Sequence, residues 1–146
     1  MSLWVLDTDH VSLFQGEHPL ARQRFNEIAT EEVAVTVITA EEQMRGWLNA
    51  IRRAAKPERT VWAYAGLREA LDYVNGVKLL DFDRAASICY EDLVRQRIRI
   101  GTRDLRIAAI VLSLNGILVT RNRRDFERVP GLIWEDWTIP ESTLES

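Results

Sequence analysis

Short apolar runs that stop at acidic or amide residues, set between helix-length segments, constrain this chain more than any other feature. Residues 3–6 read Leu-Trp-Val-Leu and run straight into Asp7-Thr8-Asp9. So short a run, bounded by turn-forming residues, reads as a buried strand. Residues 33–37, rich in β-branched side chains, read as a second strand. Residues 77–80 and 117–120 follow as a third and fourth, and residues 132–134 as a fifth. Helical periodicity marks residues 9–30, interrupted near Gly16-Glu17-His18-Pro19, and then 39–55, 57–75, 83–97 and 104–114. Pro57 opens one helix and Asn75-Gly76 closes it; Asn115-Gly116 ends the last. The 104–114 segment is apolar nearly all round, which marks it as central. In the 39–55 helix, Met44, Leu48, Ile51 and Ala55 form an apolar stripe. Strands alternating with helices predict an α/β fold: a mostly parallel sheet covered on both faces.

With 146 residues and no linker or repeat, the chain reads as a single domain over 1–146. No apolar run is long enough to span a bilayer, and the start lacks the basic region of a signal peptide, so a cytoplasmic protein is expected. Cys89 is the one cysteine and reads as plain packing; with only His10 and His18 beside it, a zinc site is not expected. The net charge of −3 excludes a globally basic nucleic-acid binder. Apart from Lys56 and Lys78, however, every basic residue is Arg, and nine Arg fall between 95 and 128. They read either as solvated helix faces or as a local phosphate-contacting surface.

Ligands of parallel sheets bind beyond the carboxyl ends of strands. There the first strand meets Asp7-Thr8-Asp9, and the fourth meets Arg121-Asn122-Arg123-Arg124-Asp125. Asp104 opens the central helix, and Glu42 lies in the first turn of the helix after the second strand. Each acid has a local explanation. Asp7 or Asp9 can cap a helix, and Asp104 can complement a helix dipole. Thr39-x-x-Glu42 fits a capping box. Asp125 can pair with Arg121 or Arg128. A shared location argues for more. Two carboxylates about 5 Å apart repel by roughly 3 kcal/mol at an effective dielectric near 20, so clustered acids call for a hard cation. Mg²⁺ or Mn²⁺ suits one or two carboxylates plus waters and can drive phosphodiester hydrolysis. Glu42, Gly46, Asn49 and Arg53 share a polar stripe, and Gly46 leaves room beside the carboxylate.

Four segments carry a family resemblance: Leu6-Asp7-Thr8-Asp9; Ile38-Thr39-Ala40-Glu41-Glu42-Gln43-Met44-Arg45-Gly46; Asp104-Leu105-Arg106-Ile107-Ala108-Ala109; and Val119-Thr120-Arg121-Asn122-Arg123-Arg124-Asp125-Phe126. Together they resemble PIN domains, and among these the VapC-like toxins. The resemblance implies a three-layer α/β/α sandwich and a Mg²⁺- or Mn²⁺-dependent endoribonuclease. It implies an RNA substrate, a cognate antitoxin seated in the acidic groove, and a homodimer. Asp7, Glu42 and Asp104 match the family's first three acids. Asn122 holds the turn near which a further acid is usual, and Asp125 follows three residues later; either completes the site. Asp9 stands where Asn is more usual. The implied roles are metal binding by Asp7 and Asp104, orientation or deprotonation of the attacking water by Glu42, and retention of a metal-bound water or second ion by Asp125 or Asn122. Trp4, Trp47, Trp62, Trp134 and Trp137 are either partner contacts or core.

Two alternatives stand beside this. Asp7-Thr8-Asp9-His10-Val11 also fits the opening of haloacid-dehalogenase-like phosphatases, with Asp7 as nucleophile and Asp9 as acid/base. That class also needs a Lys and a late acidic pair at strand ends, which the chain lacks. The other alternative is a catalytically degenerate PIN-like binding or scaffold module.

Overall fold

The computed structural model of the protein describes residues 2–7, 19–28 and 32–139. Within them β1 (Trp4–Leu6), α1 (Pro19–Glu27), β2 (Val33–Thr36), α2 (Val37–Arg53), α3 (Pro57–Gly76), β3 (Lys78–Leu80), α4 (Arg84–Arg95), α5 (Thr102–Ser113), β4 (Ile117–Val119), α6 (Arg123–Phe126) and β5 (Ile133–Glu135) follow in order. The expected helical stretch at 9–18, with Asp9, His10 and His18, lies outside the described residues.

The five strands form one sheet in the order β3-β2-β1-β4-β5, and every pairing is parallel. Val5 aligns with Ala34 on one side and with Leu118 on the other. Side chains alternate between the faces of a strand. Val5, Ala34 and Leu118 therefore enter one core, together with the buried Leu105, Ile107 and Ala108 of α5 and Leu93 of α4. Leu6, Val33, Val35 and Val119 enter the other, against Trp137, Tyr73 and Ile28. A sheet with a separate apolar core on each face is the expected sandwich. The central place expected for the 104–114 helix is borne out, since residues 107–111 of α5 are all buried.

Helix ends follow local chemistry. Asn115 takes the left-handed conformation (φ 53) just past α5. The N–H groups of Asn115 and Gly116 then return to the carbonyls of Leu112 and Val111 at 3.2 and 3.0 Å, closing the helix in a Schellman motif. Beyond the turn Gly116 passes close to the sheet: a Cβ there would stand 3.2 Å from the carbonyl of Leu3, the residue before β1.

Two expectations fail. The capping box at Thr39 and Glu42 does not form. The helix begins two residues earlier, and Thr36 is the cap, its Oγ1 accepting from the Thr39 N–H at 3.1 Å. Thr36 is wholly buried at the end of β2, so the strand itself presents the cap. Glu42 is thereby displaced to the second turn and has no capping role. The apolar stripe on α2 also misses the core in part, for Leu48 is 54% exposed. The main partner of α2 is α3. That packing uses Trp47, whose ring lies so close to Gly66 that a Cβ there would stand 2.2 Å away.

Candidate active site

β1 is the sheet's middle strand, with β2 and β3 on one side and β4 and β5 on the other. The chain reverses direction across the sheet between β1 and β4, the kind of switch point where α/β folds bind ligands. Asp7 and Thr120 stand there, each one residue past its strand.

The backbone aims both side chains. The Asp7 N–H donates to the Val119 carbonyl at 3.1 Å, so the ladder with β4 extends through this residue. The Thr120 N–H donates to the Glu135 carbonyl at 2.9 Å, extending the next ladder. With a period of two, Asp7 falls on the face of Val5 and Thr120 on that of Leu118, which is the face α5 covers. Both are buried, and the Thr120 hydroxyl donates to Asp7 Oδ2. A buried carboxylate needs such donors to remain charged.

From Thr120 the hydrogen bonds continue into the following turn. Thr120 Oγ1 accepts from the Asn122 backbone N–H at 2.9 Å. Asn122 is the residue before α6, yet its side chain does not cap that helix. Its Nδ2 instead donates to Asp125 Oδ2 at 3.0 Å and reaches Asp104 Oδ2 at 3.5 Å. Asp104 lies in the first turn of α5. The structure therefore links Asp7, Thr120, Asn122, Asp104 and Asp125 by hydrogen bonds, although they come from three parts of the chain. Asn122 and Asp125 are linked positions here, with the Asn122 amide between two carboxylates. Glu42 joins from α2 through a longer ion pair, its Oε2 3.9 Å from Arg103 Nη1. Its neighbour Glu41 turns outward to Arg45 at 2.6 Å.

Thr120 is the residue of this run that its sequence context hides, because it reads as the last member of a strand. Its signal was the Thr-x-Asn spacing before α6, which a run of strand residues conceals.

The donor set is all oxygen: carboxylates, a threonine hydroxyl and an amide carbonyl. That chemistry fits a hard divalent cation and offers nothing to a soft one. Among the described residues no three Asp, Glu, His or Cys side chains gather closely enough to hold an ion by themselves. The fit is therefore to Mg²⁺-like binding, in which one or two carboxylates hold an ion that keeps several waters.

The Arg-rich C-terminal third is divided in use. Arg123 pairs with Glu127 at 2.8 Å, Arg128 donates to the Arg99 carbonyl at 2.9 Å, and Arg106 lies over Tyr90. Arg121 and Arg124 are exposed beside the Asn122 turn. Of the five tryptophans, Trp137 is core, Trp4, Trp47 and Trp134 are half-buried, and Trp62 is 47% exposed. Cys89 packs against the main core as expected.

The model of the PIN domain family matches residues 5–132. The chain is 31% identical to the tRNA(fMet)-specific endonuclease VapC of Salmonella typhimurium, over 94% of this chain and 99% of that one. It is 28% identical to ribonuclease VapC1 of Haemophilus influenzae, over 93% and 98%. Among solved structures, the DNA-bound VapBC of Salmonella typhimurium superposes with a TM-score of 0.74 at 29% identity, covering 94% of this chain and 99% of that one. These likenesses span the whole sandwich and set aside the phosphatase alternative built on Asp7 and Asp9. The chain belongs to the PIN-domain family and is a VapC-type ribonuclease toxin of that family.

Proposed function

We propose that this protein is a Mg²⁺- or Mn²⁺-dependent endoribonuclease that hydrolyses RNA in the cytoplasm and is held in check by a cognate antitoxin. The observation that carries the reading is the hydrogen-bonded run from Asp7 through Thr120 and Asn122 to Asp104 at the switch point of the sheet. Its relatives' names, ribonuclease and endonuclease VapC, supply the reaction class.

Asp7 and Asp104 are the residues that hold the ion. When bound, the ion supplies a water of lowered pKa and positive charge for the phosphate oxygens. Thr120 orients Asp7 by occupying one of its oxygens. Asn122 separates Asp104 from Asp125 and donates to both, which offsets their mutual repulsion. Glu42 accepts the proton of the attacking water, and Arg103 keeps its carboxylate turned toward α5. Arg121 and Arg124 meet the RNA backbone beside the cleavage point. Solved relatives are VapBC complexes, which supports an antitoxin partner whose chain covers this groove. A homodimer completes the reading.

The test is incubation of the purified, antitoxin-free protein with total RNA and with tRNA, in Mn²⁺, in Mg²⁺ and in EDTA, beside Asp7→Asn and Asp104→Asn. Cleavage that needs the metal and disappears in both variants is the expected result. No cleavage under any metal, with wild type and variants alike in metal binding, returns the chain to the scaffold alternative.

A further inference from the structure

A second feature of the same helix face is not used by the cleavage chemistry. Glu42, Gly46, Asn49 and Arg53 follow one another at intervals of four, three and four residues, so they lie on one stripe of α2. Beyond Glu42 this stripe borders a cavity of about 230 Å³ between α2 and the start of α3. Gly46, Asn49 and Arg53 line it from α2, and Arg59 and Trp62 line it from α3. Gly46 lies one turn from Glu42, and Arg53 lies about 16 Å further along the axis than Glu42.

The lining has a definite chemistry. The Arg59 guanidinium lies 4.1 Å from the Trp62 ring centroid, a preformed cation–π stack. Trp62 is braced from the side by Trp47, with ring centroids 5.1 Å apart in an edge-on arrangement. Arg53 and Arg59 are exposed, and neither has a carboxylate partner among the described residues. Asn49, which lines the cavity, accepts from Arg52 at 2.7 Å through Oδ1, so that bond leaves its amide N–H groups unused. At Gly46 a Cβ would meet nothing within 4 Å, so the opening depends on the missing side chain and not on backbone strain.

We infer that this cavity is a subsite for one nucleotide of single-stranded RNA flanking the cleaved bond, with its phosphate between Arg53 and Arg59 and its base on the Arg59–Trp62 stack. Two cations with no carboxylate partner among the described residues match a phosphate, and a stacked guanidinium and indole offer a flat surface to any base. The stripe leads from Glu42 into the cavity, so a strand lying along α2 connects the two. An acidic protein segment would use the arginines but would leave the stacking surface and the Asn49 donors without a role. The inference rests on the nuclease reading, since it is that reading which places RNA at Glu42.

The experiment measures the affinity of the full chain for a fluorescein-labelled single-stranded RNA oligonucleotide in EDTA, by anisotropy across a salt series. Metal-dependent cleavage of tRNA is measured beside it. The variants are Arg53→Gln with Arg59→Gln, Trp62→Leu and Gly46→Leu, each checked by thermal melting and for oligomeric state. The double Arg variant is expected to lower the slope of log affinity against log salt by roughly 0.7, the share of the one single-strand phosphate that the two arginines no longer neutralise. Trp62→Leu is expected to weaken binding roughly 5- to 150-fold. Gly46→Leu fills the cavity and weakens binding, with a melting temperature no lower than that of the wild type.

Variants that bind and cut like a cleaving wild type overturn the subsite and leave the nuclease reading intact. A wild type without affinity for the oligonucleotide also overturns it. Weakened binding in the variants of a protein that cuts no RNA keeps RNA binding at the cavity, but removes the nuclease reading and with it the place of the cavity beside a cleaved bond.

Discussion

The hydroxyl of Thr120 donates to the carboxylate of Asp7, joining two residues 113 positions apart at the ends of adjacent parallel strands. Neither residue can move alone, because each backbone amide is also held in the sheet. The most buried carboxylate of the site is thereby fixed in direction before any ligand arrives, which is the preorganisation a reacting centre needs.

Removing that hydroxyl is expected to cost both stability and activity. Thr120→Val keeps the shape and deletes a hydrogen bond to a buried charged group, a loss of about 1–3 kcal/mol. In a chain of this size each kcal/mol lowers the melting temperature by about 2–4 °C. Thr120→Ser keeps the donor and is expected to retain most of the cleavage rate. Equal melting temperatures and rates for Thr120→Val and the wild type would show that the hydroxyl does not hold Asp7.

Asn122 lies between two acids, so its charge state matters more than its size. Asn122→Asp replaces the donating amide with a third carboxylate beside Asp104 and Asp125. Without divalent ions the variant is expected to melt several degrees below the wild type, from the missing donors and the added repulsion. Mn²⁺ should raise its melting temperature more than it raises that of the wild type, because an ion that binds the folded state stabilises it by mass action. Calorimetry in EDTA and in Mn²⁺ reads both effects; an identical response of the two proteins to the ion would contradict a metal site at Asp104.

The two glycines facing the α2–α3 region should respond in opposite directions to the same change. A Cβ at Gly66 would enter the Trp47 ring, whereas one at Gly46 meets open space. Gly66→Ala is expected to destabilise by about 1–3 kcal/mol, as overpacked interiors do. Gly46→Ala is expected to stabilise by up to about 1 kcal/mol through helix propensity alone. Urea denaturation of the pair measures this, and destabilisation by both would mean that α2 meets something at Gly46.

Tyr73 gives stability a high-pH limit. Burial against the second core disfavours its phenolate and pushes its pKa from 10.0 up to about 12. The folded state then holds this proton more tightly than the unfolded chain does. The contribution is intact below pH 10 and is lost as pH rises through the window from 10 to 12, by up to about 3 kcal/mol. Tyr73→Phe has no such proton, and its urea midpoint should fall less steeply across that window. Parallel slopes for the two proteins would assign the alkaline loss to other groups.

The layer order and the helix and strand alternation were legible in the sequence because periodicity is a local property. A strand such as residues 4–6, buried on both faces, must be apolar throughout, and α5 must be apolar nearly all round to fill the space above the sheet. Local chemistry also made Asp7 and Asp104 visible, one at a strand end and one in a helix's first turn. Where two local explanations competed, the sequence chose wrongly or not at all. Thr39 and Glu42 have capping-box spacing, but Thr36 takes the cap because β2 delivers it buried at the helix start. Leu48 has core periodicity, but its segment of α2 packs on α3 and leaves it exposed.

The sequence by itself determined the fold class and which acids stand at strand and helix ends. Hydrophobic period and residue chemistry act within a few neighbours and need no knowledge of the rest of the chain. Tertiary structure alone decided that Thr120 faces Asp7, that Asn122 lies between Asp104 and Asp125, and that Arg53 and Arg59 border one cavity. Those relationships depend on strand order and register, which come from packing the whole sheet against its two cores. No short stretch of the chain carries that information.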